Sequence, residues 1–229
     1  MKGKAYCIGV GPGDPELMTL KAVRLIKESD IIAVPGRRPE DSVAYRIALK
    51  AVPELKDKKV IALPSPMKMD MGAVREAHRQ SADTIKKHLD KGLDVVFMTI
   101  GDPTVYSTFM YIKDYLENDG YETRLINGVT SFCASAARFN IPLARWDEAV
   151  HILPAVHGID DISDLDGNLI LMKSASRFAE IRDTLKEKGF EAVMIENCGM
   201  DNEKVFDGLD DMPDETGYFS IIIAKKHEN

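Results

Sequence analysis

Three things are scarce in this chain of 229 residues: paired cysteines, long apolar runs and an excess of basic charge. Cys7, Cys133 and Cys198 are odd in number, far apart and free of any C-x-x-C spacing. That pattern suggests neither a disulfide framework nor a zinc knuckle, so reduced, buried thiols and no metal site are expected. No apolar run approaches the roughly 18–20 residues that would span a bilayer, and the opening MKGKAYCIGVG reads as a first strand rather than a signal peptide. A cytoplasmic protein without membrane contact is the expectation. Thirty Lys and Arg against thirty-seven Asp and Glu leave a formal charge of −7, the wrong sign for a protein that gains affinity by neutralising phosphates. Nucleic acid is therefore not expected as a partner.

Two familiar phosphate loops are missing as well. Gly9-Val10-Gly11-Pro12-Gly13-Asp14-Pro15 lies between an expected strand and an expected helix, where a dinucleotide fingerprint would be. Its third glycine comes one residue early for G-x-G-x-x-G, and Pro12 removes an amide that would help cradle pyrophosphate. No acidic residue ends the second strand, and no Gly-Lys-Ser/Thr follows the loop. A nicotinamide-dependent protein and a P-loop protein are both disfavoured.

What is present is alternation. Ala5–Val10, Ile31–Val34, Val60–Leu63 and Val95–Met98 read as strands, and helices are expected between and after them at Ser42–Ala51, Gly72–Leu89 and Tyr106–Glu117. In the first helix Leu17, Leu20, Val23 and Ile26 suggest one buried stripe. The fold class is α/β in two domains, residues 1–118 with a mainly parallel sheet and residues 119–229 with a mixed one. The boundary is placed at the turn Asn118-Asp119-Gly120. Strands at Glu122–Ile126, Val150–Leu153, Leu169–Met172, Ala192–Ile195 and Tyr218–Ala224 and helices at 130–138 and 176–188 belong to the second half.

A second constricted loop, Gly101-Asp102-Pro103-Thr104, ends another strand of the first half. Two tight backbones at one sheet edge would let a flat ligand approach closely. Thr104 is expected to cap the next helix, leaving Asp102 either to accept a hydrogen bond from a ligand or to add a second cap.

These loops carry a resemblance. G-V-G-P-G-D-P-E-L-M-T-L-K-A, T-I-G-D-P-T-V-Y-S-T-F, N-G-V-T-S-F, L-I-L-M-K, I-E-N-C and Y-F-S-I-I-I together resemble the tetrapyrrole methylases, and the second run is most similar to their C-20 methyltransferases acting on precorrin-2 or cobalt-factor II. The resemblance implies two αβα domains with S-adenosylmethionine held in a trough between them, a tetrapyrrole substrate and a homodimer. It also implies cofactor contacts at Pro12, Ile100, Gly101, Asp102, Val105, Thr130, Ser131, Met172 and Cys198. Ile100 stands where relatives often have a second glycine, and Cys198 where they have a smaller residue.

A sulfonium methyl is already activated, so positioning dominates and no catalytic residue is assigned; His78, His88, His151 and His157 are candidates by type only. The substrate's carboxylates call for local positive charge, and Arg37, Arg38, Lys68, Arg75 and Arg79 are the expected substrate contacts. Methylation at another tetrapyrrole position and a non-catalytic ligand sensor stay open as alternatives. So does the question of whether the acceptor already contains cobalt.

Overall fold

The computed structural model describes residues 2–64, 71–157, 159 and 165–226. Contacts divide the chain into two compact units, residues 1–130 and 131–229.

In the first unit five strands, β1 (Ala5–Gly9), β2 (Ile31–Pro35), β3 (Lys59–Leu63), β4 (Val95–Thr99) and β5 (Thr123–Ile126), form one sheet in the order β3-β2-β4-β1-β5. Every pairing is parallel. The helices are α1 (Leu20–Glu28), α2 (Val43–Ala51), α3 (Met71–Leu89) and α4 (Phe109–Asn118). The strands read as near-continuous apolar runs because both faces are covered. On one face Ala5, Cys7, Ile31, Ala33, Val95 and Phe97 pack with Ala82, Ile85 and Leu89 of α3 and Ile112 and Leu116 of α4.

The domain boundary expected at 118/119 is corrected by β5, whose Tyr6↔Arg124 register beside β1 places it in the first sheet. Asn118-Asp119-Gly120 is the end of α4: Gly120 has φ 76° and its amide bonds to the Glu117 carbonyl at 2.9 Å. It is a helix C-terminus inside a βαβ step rather than a linker. The first helix is also shifted. Residues 15–17 form a separate 3-10 turn, and α1 starts only after Thr19, whose Oγ1 accepts the Ala22 amide at 3.2 Å. Leu20 is consequently 89% exposed, and the buried positions are Ala22 and Ile26.

The second unit has helices α5 (Ser131–Arg138) and α6 (Phe178–Glu187) and strands β6 (Val150–Pro154), β7 (Asn168–Met172), β8 (Phe190–Glu196), β9 (Lys204–Phe206) and β10 (Ser220–Lys226). Their order is β6-β7-β10-β8-β9. β6 and β7 are parallel while β10 runs antiparallel to both neighbours, so the sheet is mixed, as the helix-poor end of the chain suggested. Phe178, Ile181 and Leu185 of α6 cover Leu169, Leu171, Met194 and Ile222 on one face. β9, three residues on an edge, has no counterpart in the sequence reading.

Cys7 and Cys198 are buried but Cys133 is exposed, against the expectation of three buried thiols. Burial pushes the Cys7 thiol well above the usual range, as suits an inert core residue. Among the described residues no helix is long and apolar enough to cross a membrane.

Candidate active site

The parallel sheet of the first unit delivers three loops to one edge, after β1, β4 and β5. They lock together through glycines. Gly11 and Gly101 form a two-way bridge, the Gly101 amide donating to the Gly11 carbonyl at 2.8 Å and the Gly11 amide donating back at 3.3 Å. A Cβ built on Gly9 would lie 2.3 Å from the Gly101 carbonyl oxygen and 2.8 Å from the Gly128 nitrogen; one on Gly128 would lie 2.2 Å from the same oxygen. Only hydrogen fits at these two places, so the backbones approach more closely than any side chain would permit. The sequence pointed to two of these corners. Gly128, inside N-G-V-T-S-F, is the third.

Asp102 is the brace between two of the loops. Its carboxylate, 6% exposed with the residue, accepts the Thr104 amide at 2.8 Å and the Thr104 hydroxyl through Oδ1, and the Asn127 side-chain amide at 3.1 Å and the Gly128 amide at 3.0 Å through Oδ2. Burial alone would raise its pKa, but these four hydrogen bonds outweigh it and hold the carboxyl below the usual range. Thr104 is therefore the residue being capped, not the helix cap. α4 begins later than expected, at Phe109, with the Ser107 hydroxyl accepting its amide at 3.3 Å.

Pro12 is buried, Ile100 and Val105 are half-buried, and the Val105 amide closes a turn on the Asp102 carbonyl at 3.2 Å. The Thr130 hydroxyl is buried without a hydrogen-bond partner among the described residues. An unmatched buried hydroxyl two residues beyond Gly128 is the kind of group a polar ligand satisfies. Together with the glycine corners it fits an adenosyl sulfonium, whose amine, carboxylate and ribose can be held by main-chain groups.

Residues 4–211 match the family described as Tetrapyrrole (Corrin/Porphyrin) Methylases. The chain belongs to the tetrapyrrole methylase family. Among this methylase's curated relatives is the probable cobalt-precorrin-2 C(20)-methyltransferase of Methanocaldococcus jannaschii, 34% identical over 97% of this chain and 96% of the relative. The cobalt-precorrin-2 C(20)-methyltransferase of Salmonella typhimurium is 31% identical over 99% and 98%. Among solved structures, the cobalt precorrin-4 methyltransferase CbiF superimposes with a TM-score of 0.75 at 22% identity over 97% of this chain and 94% of that one. The uroporphyrin-III C-methyltransferase of Thermus thermophilus, complexed with S-adenosyl homocysteine, gives 0.72 at 23% identity over 97% of each. At these identities the two structures establish the fold.

In the second unit of the methylase, Ser131 opens α5, Met172 ends β7 opposite Ile221, and Cys198 follows β8, 8% exposed. Two of the four non-glycine residues there with a left-handed backbone, Lys173 (φ 57°) and Asn197 (φ 54°), directly follow β7 and β8; the others are Asn140 and Trp146. Lys173 and Asn197 lie inside the quoted runs L-I-L-M-K and I-E-N-C, though neither is named there as a site residue.

The basic residues divide. Arg38 clasps Asp41 with two hydrogen bonds, at 2.8 and 3.3 Å, and Arg79 holds Glu76 at 2.7 Å and Asp83 at 3.2 Å. Both are exposed and have acidic partners within three or four residues. Arg37 and Arg75 are exposed, and Lys68 lies outside the described residues. His78 is buried and stacked on Tyr111, ring centroids 5.0 Å apart, and burial lowers its pKa. His151 Nε2 lies 2.8 Å from the Asp166 carbonyl oxygen. Both act in packing or local bonding. Among the described residues no three His, Cys, Asp or Glu are grouped as metal ligands.

Proposed function

We propose that this methylase carries the methyl group of S-adenosylmethionine to C-20 of precorrin-2 or cobalt-factor II, a step of corrinoid biosynthesis. The glycine crossing at Gly9, Gly101 and Gly128 is the observation that supports a donor site. It gives main-chain corners no side chain can enter, the last of them two residues before Thr130, whose buried hydroxyl has no hydrogen-bond partner among the described residues. Pro12, Ile100, Gly101, Asp102, Val105 and Thr130, with Ser131, Met172 and Cys198 of the second unit, are the proposed donor contacts. Asp102 acts there through the loop it braces.

When bound, the donor supplies a methyl group already activated by a positive sulfur. The chain's part is to hold acceptor carbon and methyl in line, an alignment that supplies roughly 7–11 kcal/mol relative to a bimolecular encounter. Arg37 and Arg75 are the proposed partners of the substrate's carboxylates. The choice of C-20 is supported by two relatives named for that position, each matching this chain nearly end to end. Both names specify cobalt, which favours the cobalt-loaded acceptor. A homodimer working in the cytoplasm completes the reading, on the strength of the family resemblance.

A nicotinamide cofactor is disfavoured by the same loop. Pro12 has no amide, and that of Gly11 already bonds to Gly101. Anaerobic incubation of the enzyme with S-adenosylmethionine and each acceptor tests the proposal. The expected result is a product heavier by one methyl group with an equal amount of S-adenosylhomocysteine; methylation of neither acceptor would refute it.

A further inference from the structure

The glycine loops follow the last residues of β1, β4 and β5. Lys4, Asp94 and Glu122 stand just before the first residues of the same three strands, at least about 15 Å from those loops. They form one end of a groove of about 610 Å³ within the first unit, a volume inside the roughly 300–1,000 Å³ of small-molecule sites.

The groove exists because α1 covers little of the sheet. Ala5 and Cys7 face α3 and α4, so Tyr6 between them points to the other face, where α1 lies. Only Ala22 and Ile26 of this nine-residue helix are buried. Lys21, Arg24, Leu25 and Glu28, which share a helix stripe, wall the groove instead of packing on the strands. Opposite them, Tyr6 is in register with Val96 of β4 and Arg124 of β5, so the three side chains make one row across the sheet. The Tyr6 hydroxyl makes no hydrogen bond among the described residues. Burial first and the Asp94 charge next raise its pKa, which keeps the phenol a donor.

The charges around this row favour an anion. Lys4, Lys21, Arg24 and Arg124 stand against Glu28, Asp94 and Glu122, an excess of one base in a chain whose formal charge is −7. Lys4 and Arg124 share a single carboxylate, that of Glu122, at 3.0 and 2.9 Å. Arg24 holds Glu28 at 2.6 Å, and Asp94 accepts the Lys4 backbone amide at 2.7 Å. Lys21 is exposed and has no acidic partner among the described residues. The ion pairs are exposed on both sides, and such pairs are weak enough to rearrange around a ligand.

We infer that this groove binds a small organic anion with an aromatic body, at a site separate from that of the methyl donor. Its carboxylate or phosphate lies among Lys21, Arg24 and Arg124, where guanidinium forks match either group. Its body rests against Tyr6, Leu25 and Ile126, and the Tyr6 hydroxyl donates to it.

The test titrates nitrogen-15-labelled full-length enzyme with benzoate and with phenyl phosphate while the amide signals of Tyr6, Val96 and Arg124 are followed by NMR. Benzyl alcohol supplies the body without the charge, and acetate and inorganic phosphate supply the charge without the body. Saturable shifts are expected with benzoate, phenyl phosphate or both, at a dissociation constant of about 5 mM or tighter. The tighter of the two identifies the anionic group. Saturating S-adenosylhomocysteine should leave that constant unchanged, and combining Lys21→Gln with Arg124→Gln should weaken it about tenfold or more. Both substituted side chains are exposed, and a native spectrum verifies that the variant folds. No saturable shift with either aromatic anion would overturn the inference. So would equal binding of benzyl alcohol, acetate or inorganic phosphate, competition by S-adenosylhomocysteine, or a folded double variant that binds within about twofold of wild type. Should the variant not fold, the comparison of the five probes on wild type decides.

Discussion

The Asp102 carboxylate accepts the Gly128 amide at 3.0 Å, so the loop after β4 holds the loop after β5 in place. Because the same carboxylate also fixes Thr104, one side chain sets the geometry of a corner whose other members are glycines. The rigidity of this corner is what the donor-binding proposal requires, and it can be probed residue by residue.

Gly9→Ala and Gly128→Ala should each disrupt the crossing. The new Cβ would lie 2.3 or 2.2 Å from a backbone oxygen, and backbone cannot rotate out of the way as a flexible side chain can. Overpacking of this kind costs about 1–3 kcal/mol. Urea denaturation should show that loss, and calorimetry should show S-adenosylhomocysteine binding weakened by more than the stability change explains. Gly120→Ala is the control, since nothing lies within 4 Å of its Cβ position. It should affect stability through its positive φ and leave binding alone.

Asp102→Asn should destabilise the first unit by about 1–3 kcal/mol, because an amide presents donors to groups that are themselves donors. The pH dependence has a definite sign. The folded-state pKa of Asp102 lies below that of the unfolded chain, so the unfolded state binds more protons as the solution is acidified. The contribution is complete above the unfolded value of about 3.9 and is lost as pH falls through the folded one. Urea midpoints measured down through that window should decline more steeply for wild type than for Asp102→Asn.

Neutral replacement of the arginines should separate them by partner. Arg37→Gln and Arg75→Gln should raise the acceptor's KM about tenfold or more if each loses a charge-assisted hydrogen bond. Donor affinity should not change. Arg38→Gln and Arg79→Gln should leave both constants within about twofold, since their guanidiniums already serve Asp41, Glu76 and Asp83. Steady-state kinetics on the four variants decides the assignment.

Much of the fold was legible because β1, β2 and β4 are buried on both faces and therefore continuously apolar, while α2 and α3 start and stop near ordinary sequence signals. What escaped notice has physical reasons. β9 is three residues of mostly exposed edge, too short for a period to appear. The end of α4 resembles a linker because a helix C-terminus and a domain boundary use the same turn residues, and only the pairing of β5 with β1 tells them apart. Leu20 was misplaced because Asp14 and Thr19 each cap a separate short segment, breaking what periodicity alone reads as one helix.

The candidate site was legible in part. Gly101, Asp102 and the first glycine loop announce themselves by composition, and Gly128 could have been found by asking what faces them from the next strand end. The local pairs of Arg38 and Arg79 were legible in the acids three and four residues away, which is the spacing of such pairs. The left-handed backbone of Lys173 left no trace, since its residue type gives no hint of positive φ.

The most direct test of methyl transfer to C-20 uses donor labelled with carbon-13 in its methyl group. After anaerobic reaction with cobalt-factor II, and separately with precorrin-2, the product's carbon-13 NMR spectrum locates the label. The account predicts one enriched methyl, bonded to C-20, in at least one of the two products. Enrichment at another ring carbon would contradict the assigned position, and an unlabelled macrocycle in both reactions would contradict the activity itself.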